Sequence, residues 1–67
     1  MNLKIEVERE DDGRWIAEVL DLPGCLAYGK TQADALGRAK ALTLRVLADR
    51  MENDEPVPAG DELFSVA

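Results

Sequence analysis

Cys25 is the only thiol in a chain of 67 residues that contains no histidine. Without an imidazole there is no Ser-His-Asp triad and no Cys-His dyad. A thiol can also be activated by a helix N-terminus or a neighbouring cation. Cys25, however, follows a Pro23-Gly24 turn with no base beside it in the sequence. We read it as a buried, inert small hydrophobe. A zinc site would need further thiols or imidazoles, and an internal disulfide would need a second cysteine.

Carboxylates are abundant instead. Asp and Glu number 14 against 8 Lys and Arg, for a formal net charge of −6. Clustered carboxylates can hold divalent cations and support two-metal phosphodiester chemistry, and Glu6, Glu8 and Glu18 are the natural candidates. A chain this acidic forms such clusters from composition alone, and nothing beside them supplies a phosphate-binding group. Asp11-Asp12-Gly13 lacks the spacing of a calcium loop. The three glutamates therefore read as a solvated or partner-facing acidic surface. No catalysis, cofactor or metal is expected. Nonspecific nucleic-acid binding needs basic surface, and acidic neighbours offset most of Arg38, Lys40, Arg45 and Arg50. The charge favours a basic protein partner.

The elements that position these residues follow from periodicity. Leu3, Ile5 and Val7 alternate with Lys4, Glu6 and Glu8, the period of a half-buried strand; Arg14 to Leu20 predicts a second. A loop of Asp11, Asp12 and Gly13 sets Ile5 opposite Val19, Val7 opposite Ala17 and Arg9 opposite Trp15. That register gathers the apolar side chains on one face and lets Arg9 stack on Trp15. The other face then carries Lys4, Glu6, Glu8, Ile16, Glu18 and Leu20, with Glu6 directly across from Glu18. Pro23-Gly24 suits the centre of a type II turn. Leu26 to Lys30 predicts a short edge strand.

Thr31 as N-cap, with Asp34 three residues on, opens a helix that continues to about Glu52. Ala33, Leu36, Leu44, Leu47 and Met51 share one arc of it, flanked by Ala35, Ala39, Leu42 and Val46. Asp34–Arg38 and Arg45–Asp49 are spaced to pair along the polar side. The apolar arc is wider than one sheet needs: either alanines fill it, or Leu42 and Val46 touch a second subunit. Glu55-Pro56-Val57-Pro58-Ala59-Gly60 then crosses back to a last strand from Leu63 to Val66, with parallel pairing expected. The prediction is a single α+β domain over residues 1–67, β-β-β-α-β, with one mixed sheet and one long helix packed on one face.

Taken in order, these residues resemble the HicB-like antitoxin family. The resemblance rests on Asp12-Gly13 before Trp15, the run Ile16-Ala17-Glu18-Val19, and Asp21-Leu22-Pro23-Gly24-Cys25. It continues through the strand ending at Gly29, Thr31, the Ala35-Leu36 pair and the Pro-containing stretch from Glu55. It implies a truncated ribonuclease H-like fold without a nuclease site, found as homodimers or higher oligomers. It also implies a partner: a small basic HicA-like toxin that cleaves RNA. Family members usually add a C-terminal DNA-binding domain, whereas this sequence stops soon after its last strand, so operator binding is not carried over.

The function expected is a protein-binding antitoxin-like module that contacts its partner through Glu6, Glu8 and Glu18. The competing expectation is a self-associating small domain without a toxin partner, using Ile16, Leu20, Leu42 and Val46. A small domain often needs help beyond its own core, which makes a second copy the expected partner in either case. A lone cysteine fits a reducing compartment. No apolar run approaches the roughly 20 residues that span a bilayer, and charges interrupt the N-terminus too often for a signal peptide. A cytoplasmic location is expected.

Overall fold

The computed structural model describes residues 3–55 and 64–66. Its elements are β1 (Leu3–Arg9), β2 (Trp15–Val19), β3 (Leu26–Gly29), α1 (Gln32–Glu52) and β4 (Phe64–Val66). They form the β-β-β-α-β order, with one sheet arranged β3-β2-β1-β4. β1, β2 and β3 are antiparallel neighbours, and β4 runs parallel to β1. The chain thus leaves the sheet at one edge, crosses in α1 and returns at the other edge. The expected crossover segment from Pro56 to Gly60, and Leu63, lie outside the described residues.

The β1–β2 register is the one the apolar pattern requires. Ile5 lies opposite Val19, Val7 opposite Ala17 and Arg9 opposite Trp15. The three-residue loop is closed by the Glu10 N–H donating to Arg14 O at 2.7 Å and the Gly13 N–H donating to Glu10 O at 3.0 Å. Gly13 has φ +90°, a region that side chains rarely tolerate. At the other end of β2, the Cys25 N–H donates to Leu22 O at 3.0 Å. Gly24 has φ +89° there, as a type II turn over Pro23-Gly24 demands.

The N-terminus of α1 is capped from both sides. Thr31 Oγ1 accepts the Asp34 N–H at 3.0 Å. Asp34 Oδ2 accepts the Lys30 N–H at 3.1 Å, one residue before the cap. The arc of α1 that meets the sheet differs from the sequence expectation. Ala35, Ala39, Thr43 and Leu47 are buried, with Leu36 and Val46 packed beside them, whereas Leu44 is 51% and Met51 63% exposed. The reason is a close approach at Gly29. A Cβ there would lie 2.8 Å from the Asp34 carbonyl carbon and 2.9 Å from the Ala35 Cα, and would strike the Ala35 nitrogen. The helix therefore turns its small side chains, rather than its largest ones, toward β3. Thr43 is buried among them, and its hydroxyl is satisfied by donating to Ala39 O at 2.8 Å.

The core lies between α1 and this face of the sheet. Leu3, Ile5, Ala17, Val19, Leu22 and Cys25 are buried in it. Among the described residues the ion pairs are Arg14–Asp12 and Arg38–Asp34, so the expected Arg45–Asp49 pair does not form. No helix among the described residues is long and apolar enough to cross a membrane.

Candidate protein-docking face

Alternation along the strands sends every second residue away from the helix, and among the described residues no element covers that side. Three of the strands contribute to it in register. Glu6 pairs with Glu18, Glu8 with Ile16, Ile16 with Tyr28, and Glu18 with Leu26. The face divides into two halves.

The first half is acidic. Glu6, Glu8, Glu10 and Glu18 surround Ile16 and line a shallow hollow of about 100 Å³. All three glutamates singled out in the sequence are here, joined by Glu10. Glu10 went unnoticed because it follows the end of β1, although its even position already placed it with Glu6 and Glu8. Glu6 and Glu18, like charges across a strand pair, repel each other, so this arrangement works against the fold that carries it. Among the described residues no group of three His, Cys, Asp or Glu is arranged to hold a metal ion.

The second half is apolar and cationic. Leu20, Leu26 and Tyr28 are 47%, 37% and 40% exposed. The Arg14 guanidinium carbon sits 4.5 Å from the centroid of the Tyr28 ring. The stacking partner is thus Arg14 on the open face, in place of the Arg9–Trp15 pair expected on the covered one. Asp12 holds the guanidinium there, its Oδ2 2.7 Å from Arg14 Nε and its Oδ1 accepting the Arg14 N–H at 3.1 Å. These bonds, the backbone one first, hold the Asp12 carboxyl below its usual range. An open hollow of about 230 Å³ lies between Arg14, Tyr28, Gly29, Lys30, Asp34 and Arg38. Asp34 titrates low too, chiefly through its hydrogen bond from Arg38 and then through the Lys30 N–H.

One relative adds to this geometry. The chain is similar to a UPF0150 protein of Thermoplasma acidophilum. The two are 28% identical over 58 residues, which is 87% of this chain and 84% of the relative. No family model and no solved structure matches the chain.

The four residues named for self-association separate in the structure. Leu20 is exposed and Ile16 half-buried on the open face, while Leu42 and Val46 are half-buried on α1. Val46 packs against the chain's own core. The apolar residues exposed beside β2 are Leu26 and Tyr28. Their signal in the sequence was the alternation of β3 itself.

Proposed function

We propose that this chain is an antitoxin-like protein-binding module. The acidic half of its open face receives a small basic protein of the HicA-like, RNA-cleaving kind. One observation carries the reading: Glu6, Glu8, Glu10 and Glu18 converge around Ile16 on a face that no other described element covers. A protein that binds RNA presents cations spaced for phosphates, and a row of carboxylates attracts those cations for the same reason. Such complementarity raises the encounter rate and sets specificity, while a central apolar side chain such as Ile16 supplies the desolvated contact. Blocking a ribonuclease in this way requires no chemistry from the chain itself. The resemblance to HicB-like antitoxins supports the same reading.

The test is a calorimetric titration of the chain with a small basic HicA-like protein. Complex formation that weakens as salt rises is expected. Glu6→Lys with Glu18→Lys is expected to weaken binding by tenfold or more, since like charges across an interface cost several kcal/mol. No complex, or a complex indifferent to both reversals, sinks the reading.

A further inference from the structure

We propose that the hollow between Arg14, Tyr28, Lys30 and Arg38 is a docking site for an acidic side chain on an extended segment of a partner protein. The carboxylate meets the two guanidinium groups, and an apolar neighbour in the segment meets the tyrosine ring. This goes beyond the toxin reading, because it concerns the other half of the open face and a ligand of the opposite charge.

The two arginines are held in the same way. Asp12 and Asp34 each accept a backbone N–H on one carboxylate oxygen, from Arg14 and from Lys30, both at 3.1 Å. The other oxygen of each accepts an Nε–H, from Arg14 at 2.7 Å and from Arg38 at 3.1 Å. Among the described residues neither guanidinium donates to any further acceptor. The Nε bond fixes each group in place and leaves its Nη donors for a ligand. A guanidinium fork fits an oxyanion with two parallel hydrogen bonds.

The hollow measures about 230 Å³, more space than a bare carboxylate fills. Its apolar wall is the Tyr28 ring, and the Arg14 guanidinium carbon sits 4.5 Å from the ring centroid. Gly29 adds only backbone to the lining, since α1 leaves no room there for a side chain. The occupant therefore brings a carboxylate together with an organic body. β3 says what carries it. This is an edge strand, and its register with β2 turns the Leu26 and Tyr28 peptide groups outward. An extended segment following that edge hydrogen-bonds to it and passes over the hollow.

Charge restricts the ligand to one negative charge. Arg14, Lys30 and Arg38 exceed Asp12 and Asp34 by a single positive charge. Glu10 stands across from Arg14 but lines the other hollow and forms no ion pair with it. Glu18 is opposite Leu26, at the far end of β3 from Gly29, and three residues of strand put it about 10 Å away. Glu8 is opposite Ile16, which is opposite Tyr28, so two strand spacings separate it from the ring, again about 10 Å. Salt screens charges at that distance. What remains attracts a carboxylate and gives a phosphate dianion little more than it gives a monoanion.

The experiment uses the whole chain and no toxin, so its failure and that of the toxin reading are distinguishable. The probe is a leucyl-glutamyl-leucine tripeptide blocked at both ends, and its glutamine counterpart is the neutral control. Proton–nitrogen NMR should show saturable shifts at the Tyr28 and Lys30 amides and at the Arg14 and Arg38 Nε–H groups with millimolar glutamate peptide, and not with the control. Arg38→Gln should weaken binding roughly fivefold, Arg38→Lys should restore part of it, and Lys40→Gln should leave it unchanged; the amide spectrum of each variant reports that it is folded. Absence of saturation at these resonances overturns the proposal, as does equal binding of the glutamine peptide. A loss on Lys40→Gln as large as that on Arg38→Gln shows only diffuse attraction and also overturns it. Inorganic phosphate that saturates the same resonances at lower concentration assigns the hollow to a phosphate instead.

Discussion

The two faces of the sheet come from the same strands, yet they obey different rules. On the covered face, side chains were selected for size: Ala17, Ala35 and Ala39 are fully buried, and Gly29 lies against helix backbone with no room for a methyl group. On the open face, size is unconstrained and charge is the organising variable. Glu6 and Glu18 sit across from one another at a cost to stability, and Leu26 and Tyr28 stay exposed. A face that conflicts with its own fold is where interaction with something else is to be sought.

The contrast can be broken by substitutions matched across it. Ile5→Ala empties a fully buried site and should cost about 3 kcal/mol or more, whereas Ile16→Ala on the open face should cost about 1 kcal/mol or less; urea denaturation of both variants measures the difference. Equal losses would mean that the open face is packed within the monomer. Gly29→Ala should cost about 2 kcal/mol, because the atoms in its way are backbone and cannot rotate aside. In the same assay, a neutral result would show that α1 sits further from β3.

Thr31→Ala removes the cap and should cost about 1 kcal/mol. Its neighbour Asp34 makes this region pH-sensitive. Its folded carboxyl titrates below the ordinary 3.8, held down first by Arg38 and then by the Lys30 N–H, so the stability it contributes is present above 3.8 and is lost as pH falls through the lower folded value. Asp12 behaves in the same way through Arg14. Denaturation midpoints should therefore drop below about pH 4, and Asp34→Asn should flatten the acid limb. The smallest effect belongs to the open face: Glu18→Gln relieves the Glu6–Glu18 opposition and should stabilise by a few tenths of a kcal/mol, a shift that added salt reduces.

Much of the fold was legible in the residues. The hairpin register could be derived because a slip by one residue would send Glu18 to the side of Ile5 and Val7. Thr31 and Asp34 marked the helix start, and Pro23-Gly24 marked a turn that only glycine makes easily. The acidic cluster was legible for the same reason as the register, since both follow from a period of two. The buried arc of α1 was not legible. Hydropathy weights Leu44 and Met51 above Ala35 and Thr43, and sequence alone does not reveal how near the helix axis lies to the sheet. The partition of the open face was hidden too, because Arg14 joins Tyr28 only once β2 and β3 are paired.

The sequence by itself determined the local matters: strand periods, the glycine turns, the cap, and which strand residues share a side, all consequences of torsional preference and alternation over a few neighbours. Only the tertiary structure decided which stripe of the helix is hidden and that β1 is the strand beside which β4 takes its expected parallel place. These depend on how closely distant backbones approach, and a missing side chain at Gly29 sets that distance in a way hydropathy does not register.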